Sequence, residues 1–404
     1  MKKFLFLIVL LSLVNPFNAQ VSNSDYFQTY YVPYDSSAKF FVDFKIPYSK
    51  IFFVKEKNYY ASTTSSLIEI YRQDSLVKRI ISKKNVTVNS FDETKSDSKL
   101  LHSFFDLELP YGIYNVHFSF RINNTSSFAL KFNKRVEIKK RNDKILSPIP
   151  AKKINNAVYA ALSLEPVVNF SPSNISLLVP VNLSDTVCQI SISQFDEKIY
   201  HDISFNYIKG APFFALLGNN FIVSSKMCIE NYKMFIFKNF ALKLLPGKAT
   251  IKITVGNYSA TYNMKVVWDK FPNALTFDFV SENAMSMLFD KDEIKKYDNA
   301  PKNLKIKKLF EIWKPYDPDT SNAYNEILSE FFSRVDYAIK NFSSPKSHNG
   351  YKTDRGLIYI RYGKPLKIKQ DFSEYDYNRE IWDYGNMQYI FVDEKGNGNY
   401  ILVK

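Results

Sequence analysis

Polar and apolar residues alternate strictly along several stretches of this chain. After Pro110-Tyr111-Gly112, the apolar Tyr114, Val116, Phe118 and Phe120 alternate with Asn115, His117, Ser119 and Arg121. A period of two with one polar face predicts a half-buried antiparallel strand, and Pro110 and Gly112 supply the turn leading into it. The runs AKFFVDFKIP (from residue 38) and SSLIEIYRQ (from residue 65) alternate in the same way. Residues 20–145 therefore read as an all-β sandwich module of Ig-like size. The pattern returns in LPGKATIKITVGNYSATYNMKVVW, where Ile251, Ile253 and Val255 precede a Gly256-Asn257 turn, and Ala260, Tyr262, Met264, Val266 and Trp268 follow it. Residues 146–270 read as a second sandwich of the same kind, with ILSPIPAKK (residues 145–153) as the linker between the two.

After Phe271 the period changes. NLKIKKLFEIWKPY is helical in pattern, and so is SNAYNEILSEFFSRVDYAIKNF. In the latter, Tyr324, Ile327, Leu328, Phe331, Phe332, Val335, Ala338, Ile339 and Phe342 recur at three- and four-residue intervals and draw one wide apolar stripe. Asp319, Thr320 or Ser321 is placed to cap that helix, and Pro318 can precede it but not continue it. GLIYIRYG, REIWDY, MQYIFVD and NYILVK then read as strands separated by glycine turns. Residues 271–404 are thus expected to form an α+β domain with two or three helices and a small antiparallel sheet.

The first residues carry a different signal. Lys2 and Lys3 precede the eleven-residue run Phe4–Val14, apolar but for Ser12, followed by the polar exit NPFNAQ. That is the layout of a secretory signal peptide over residues 1–19, too short to span a bilayer, with cleavage expected near Ala19. No cysteine follows the apolar run, so a lipid-anchored cysteine is not expected. No later stretch reaches the roughly 18 apolar residues of a spanning helix. The mature chain is expected to be exported, in the periplasm or outside the cell, with no transmembrane segment. Cys188 and Cys228 are the two cysteines. They are able to pair in an oxidising compartment, but two in a chain this long are no disulfide framework.

The net charge of +14 rests on 45 lysines and only 9 arginines. The lysines are spread along the chain with no basic stripe, so nucleic acid is not expected as a partner. His102, His117, His201 and His348 are scattered without paired ligand spacing, and no phosphate-binding or nucleophile-elbow motif is present. No metal and no cofactor are expected. DEKGNGNY (residues 393–400) lacks the alternating acidic pattern of a calcium loop and reads as a hairpin turn.

Glycine and arginine concentrate near the end. Six of the eleven glycines (Gly350, Gly356, Gly363, Gly385, Gly396 and Gly398) and four of the nine arginines (Arg334, Arg355, Arg361 and Arg379) fall there. Glycine permits positive φ and close backbone approach, and arginine offers a planar two-pronged donor that lysine lacks. In this region the chain resembles the GWxTD-domain family of exported bacterial proteins. The name-giving motif stands as Gly350-Tyr351-Lys352-Thr353-Asp354, with tyrosine in place of the usual tryptophan. Trp313, Asp317, Pro318 and Arg334 match before it. Arg355, Gly356, Tyr362, Gly363, Pro365, Glu380 and Trp382 match after it, over roughly residues 280–404. The resemblance implies a domain, not a catalytic activity.

Read physically, Thr353 and Asp354 are residues that bond nearby backbone N–H groups and tie a corner. Arg334 is expected to clamp helix to sheet by pairing with Asp354 or Glu380. Tyr351, Tyr359, Tyr362, Trp382, Tyr384 and Tyr389 form an aromatic set of which an exposed part would be a binding surface. The functional expectation is a non-enzymatic binding or assembly protein of the bacterial cell envelope, with an envelope protein or glycan as partner. The alternative is a carboxylate-dependent hydrolase using Asp354 with Asp317 or Glu380.

Overall fold

The computed structural model describes residues 27–34, 36–122, 130–139, 144–155, 157–217, 220–226, 231–344, 349–371 and 377–403. The expected signal segment, Cys228 and His348 lie outside them. The remainder divides into two compact units, Gln20–Val267 and Trp268–Lys404.

Residues 27–267 are almost wholly β. Strands Phe27–Pro33, Ser37–Pro47 and Leu100–Pro110 make a three-stranded antiparallel sheet with Ser37–Pro47 in the middle. A second sheet is built on Tyr59–Arg72, which pairs with Val54–Glu56, Ser75–Val88 and Gly112–Ile122, the last continuing to Leu130–Ile138. The alternation read in the strand Gly112–Ile122 holds: Tyr114, Val116, Phe118 and Phe120 are buried between these sheets with Phe27, Phe40, Val42 and Phe44.

The middle strand departs from expectation. Period two predicted one polar face for AKFFVDFKIP, yet both faces are covered. Phe41, with Tyr30 and Val32, packs into a second core containing Ile149, Tyr159, Phe214, Val223 and Met234. Phe41 meets Phe214 edge-on at 5.0 Å. The three-stranded sheet is therefore a middle layer shared by two cores.

The expected linker is corrected for the same reason. Ile149–Lys153 is a strand inside a seven-stranded sheet, between Ser176–Asn182 and Tyr159–Ala161. Ile149 and Ala151 are fully buried, and their burial outweighs the strand-weakening Pro150 that made the segment read as a linker. A further five-stranded sheet contains the expected hairpin, Gly247–Val255 and Tyr258–Val267, turning at Gly256 with φ +54°. Cys188 is buried in the neighbouring strand Cys188–Gln194, where desolvation pushes its thiol pKa up to about 12.

The second unit has five helices among its described residues, not two or three. They are α1 (Asp278–Met285), α2 (Lys291–Asp298), α3 (Lys305–Trp313), α4 (Glu326–Phe342) and α5 (Asp354–Tyr362). Strands Lys367–Asp371, Asn378–Asp383, Gln388–Asp393 and Ile401–Leu402 form an antiparallel sheet in that order. The last three match strands expected from the sequence; the first was not expected, and GLIYIRYG, expected as a strand, is not one. It lies in α5, because Thr353 caps the start through Gly356 N–H and Gly363, at φ +77°, ends it. A short apolar run rich in isoleucine and tyrosine fits either period, and its caps decide.

The stripe on α4 is buried through Leu328, Phe331, Phe332, Val335, Ala338 and Phe342. Its cap is Asn325, not Asp319, Thr320 or Ser321, and Tyr324 precedes the helix. Asn325 Oδ1 accepts from Leu328 N–H at 2.9 Å while its Nδ2 donates to the Trp313 carbonyl at 2.9 Å, so one amide starts α4 and anchors α3.

Candidate functional site

A 3-10 turn, Gly350–Lys352, lies between α4 and α5 and carries the start of the motif. Its glycine is required by space. A Cβ on Gly350 would lie 2.1 Å from the Ala338 carbonyl oxygen and 2.7 Å from the Ser343 nitrogen, both backbone atoms of α4 and its end. A Cβ on Gly356 would lie 2.0 Å from the Gly350 carbonyl oxygen. Three backbone segments therefore meet with no side chain between them.

Thr353 secures the junction from both directions. Its hydroxyl accepts from Gly356 N–H at 3.1 Å and donates to the Gly350 carbonyl at 2.8 Å. Asp354 reaches across to the sheet, where its Oδ2 accepts from Leu402 N–H at 2.8 Å. Tyr351 is 1% exposed, and desolvation raises the pKa of its hydroxyl, which has no hydrogen-bond partner among the described residues.

Arg355 is the hub. Its Nη1 donates to both carboxylate oxygens of Glu380, at 3.3 and 3.4 Å, and its Nη2 to the Gly398 carbonyl at 3.2 Å. The guanidinium lies 4.0 Å from the Tyr400 ring centroid and 5.3 Å from that of Phe342. Glu380 also accepts from Trp382 Nε1 at 3.1 Å, and the Trp382 indole packs on Phe342 and Phe391. Asp393 accepts from the N–H groups of Asn397 and Gly398 at 3.1 and 2.7 Å, which closes the DEKGNGNY turn.

The clamp read from the sequence has the right chemistry and the wrong arginine. Arg334 pairs with Glu330 on its own helix at 2.7 Å. Its Nη1 donates to the carbonyls of Ile360 and Arg361, at 3.2 and 3.3 Å, at the end of α5. Because residues 354–362 are helix and not strand, Arg355 stands between α4 and the sheet and takes Glu380. Gly363 has φ +77° and its carbonyl accepts from Tyr384 OH at 2.8 Å, beside the buried Pro365. Trp313, Asp317 and Pro318 serve the α3–α4 connection instead. Trp313 is buried against Phe289 and Phe331, Asp317 accepts from Asp319 N–H at 3.0 Å, and Pro318 is exposed.

The aromatic set separates into two. Tyr351 and Trp382 are buried, and the half-buried Tyr359 packs with them through Trp382, Phe342 and Tyr337. Tyr362, Tyr384 and Tyr389 are half-buried with mutual ring separations of 5.4 to 5.9 Å. A hydrogen bond with Tyr389, then the Arg361 charge, lowers the Tyr362 pKa, and the same bond raises that of Tyr389. Burial pushes Tyr384 up to about 12. Leu366, 80% exposed, lies beside this group, and Ile368, 50% exposed, follows on the first strand of the sheet.

One constellation was not legible in the sequence. Lys305 Nζ lies 3.6 Å from Asp278, 3.8 Å from Glu282 and 3.9 Å from Asp298, over the Tyr297 ring. Burial, then hydrogen bonding to Asp298, raises the Glu282 pKa above 4.5. Among the described residues, no group of three or more His, Cys, Asp or Glu side chains is placed to hold a metal ion. No helix in them is long and apolar enough to cross a membrane.

Among solved structures, the chain is similar to the titin fragment Titin-A168169 at 10% identity, covering 60% of this chain and 97% of that one, with a TM-score of 0.15. The titin Ig tandem domains A164-A165 align at 9% identity over 60% of this chain and 95% of that one, also at TM-score 0.15. No curated protein matches. The GWxTD domain family matches residues 252–404, from within the Gly247–Val255 strand to the end of the chain. The turn, the two close-packed glycines and the Thr353–Asp354–Arg355 corner all lie inside that match, and the chain is a GWxTD domain-containing protein.

Proposed function

We propose that this chain is an exported, non-enzymatic binding or assembly protein of the bacterial cell envelope, whose partner is an envelope protein or glycan. One contrast within the GWxTD domain carries the reading. The carboxylates of Asp354, Glu380 and Asp393 are all engaged by backbone N–H groups, Arg355 or Trp382, whereas Tyr362, Tyr384 and Tyr389 stay half-exposed beside Leu366. Carboxylates committed to internal bonds are structural ties, and partly exposed tyrosines are the side chains that anchor interfaces. The Lys2–Val14 pattern supports export.

Two measurements test it. Cell fractionation with N-terminal sequencing should find a mature chain starting near Gln20 outside the cytoplasm; a full-length cytoplasmic chain overturns export. A Tyr362→Ser/Tyr389→Ser double variant should keep its thermal midpoint yet lose co-sedimentation with the envelope. Unchanged co-sedimentation removes the tyrosine surface from the reading.

Glu282 favours the second reading, a carboxylate-dependent hydrolase with its site in this domain. A carboxyl group whose pKa is raised by burial and by Asp298, beside Lys305, has the pKa bias of a general acid. Turnover of chromogenic glycosides or esters, abolished by Glu282→Gln, would establish it.

A further inference from the structure

The three-stranded middle layer of the first unit carries a polar group that its strand pattern does not need. Register places Asp43 and Lys45 on the same face as Phe41, with His102 directly opposite Lys45. Asp43, 1% exposed, bonds His102 Nε2 and lies 3.7 Å from Lys45 Nζ. This face opens into a cleft of about 850 Å³ within residues 20–267, walled on one side by the strand Ser75–Val88 and on another by Ala160–Leu162, Leu216 and Phe221.

The cleft is short of negative charge. Lys45, Lys84 and Lys99 line it, with Glu93 as the acidic residue among its lining and Asp43 beneath Lys45, so the cations still outnumber the carboxylates. Glu93 is already committed to Lys99 at 2.6 Å. Lys84 Nζ donates to the His102 carbonyl at 2.7 Å, and Lys45 Nζ to the Leu162 carbonyl at 3.2 Å. An ammonium has three donors, so each retains capacity for an acceptor from a bound molecule. Desolvation lowers the Lys84 pKa, and an anion beside it would reverse that effect. The rim is apolar: Leu100, Leu162 and Leu216 are 41%, 38% and 37% exposed. Polar floor and apolar rim in one concavity are the marks of a small-molecule site.

We propose that this cleft binds a small organic anion, its carboxylate or phosphate head seated on Lys84 and Lys45 and its apolar body against Leu162 and Leu216. The site is independent of the C-terminal tyrosine surface and of any partner held there.

Calorimetric titration of the full mature chain tests it, using hexanoate, hexyl phosphate, inorganic phosphate and the neutral hexyl glucoside. Binding of hexanoate or hexyl phosphate, weakening as salt rises, is expected, and the tighter of the two identifies the head group. Inorganic phosphate should bind more weakly than hexyl phosphate; equal affinities overturn the role of the leucine rim. Hexyl glucoside binding as tightly as either anion overturns the role of the lysines. Lys84→Met should weaken binding roughly tenfold or more, the scale of one lost charge-assisted hydrogen bond, while Lys369→Met on the C-terminal sheet leaves it unchanged. If Lys84→Met fails to fold, Lys45→Gln serves in its place. Silence of both anions toward the folded chain refutes the site.

Discussion

Gly356→Ala sets two physical effects of opposite sign against each other. Gly356 lies in the first turn of α5, where intrinsic propensity favours alanine by up to about 1 kcal/mol. The packing argues the reverse. The new methyl would stand 2.0 Å from the Gly350 carbonyl oxygen and 3.0 Å from its carbonyl carbon, and both are backbone atoms that no rotamer change relieves. The helix must move away from the turn, which costs about 1–3 kcal/mol as overpacking. Movement also strains the Thr353 cap, worth about 1 kcal/mol, and the Thr353–Gly350 hydrogen bond, worth about another. The net expectation is destabilisation by about 2–3 kcal/mol, a fall of roughly 5–10 °C in the midpoint of this unit. The assay is unusually selective, because the three tryptophans, Trp268, Trp313 and Trp382, all belong to this unit and are at most 4% exposed. Tryptophan fluorescence therefore follows residues 268–404. An unchanged or higher fluorescence midpoint for Gly356→Ala would refute the close-packing argument.

Three further outcomes are read by the same fluorescence melt. Arg355→Ala leaves Glu380, 8% exposed, with Trp382 Nε1 but no cation, and should cost about 3–5 kcal/mol; a loss below about 1 kcal/mol would show that the pair is not a tie. Arg334→Lys should lower the midpoint by much less, about 1 kcal/mol or under. Its Glu330 partner is 61% exposed and screened, so a loss matching that of Arg355→Ala would put the clamp back on Arg334. Glu282 has a folded pKa raised above 4.5, so its contribution is complete below the unfolded value and is lost as pH rises through the folded one. The midpoint should decline across that window, and Glu282→Gln should flatten the decline; an identical slope in the variant would exclude Glu282 as its source.

What was legible in the sequence follows from how local each cause is. The strands at Gly112–Ile122 and Gly247–Val267 could be read because alternation and turn residues lie within one short window. Phe41 looked no different from Phe40, since which sheet covers a residue's face depends on strands more than a hundred positions away. The helix Asp354–Tyr362 was missed because Ile358, Tyr359 and Ile360 favour a strand locally, and Thr353 and Gly363 had been read as corner and turn residues. Thr353 does bind the nearby backbone, and the N–H group it accepts from is the one that starts the helix. Asp43 with His102, and Lys305 with three carboxylates, join residues whose spacing has no motif, so only the fold brings them together.

The concentration of glycine and arginine near the end of the chain has two separate explanations, and both are geometric. Gly350 and Gly356 are glycines because backbone meets backbone, whereas Gly363, Gly385, Gly396 and Gly398 are glycines because φ is positive, between +60° and +89°. The arginines do not serve positive charge as such, which this lysine-rich chain has in excess. Arg355 joins Glu380 on one strand to the Gly398 carbonyl in the turn after the next strand while its plane stacks on Tyr400, and Arg334 joins Glu330 on α4 to two carbonyls at the end of α5. A lysine's donors all radiate from one nitrogen and it has no planar face to stack, so it cannot span the same set of partners. The domain thus uses arginine where one side chain must fasten several elements at once. A substitution that keeps the charge but removes the fork is therefore expected to act on stability, with binding at the tyrosine surface left intact in whatever fraction remains folded.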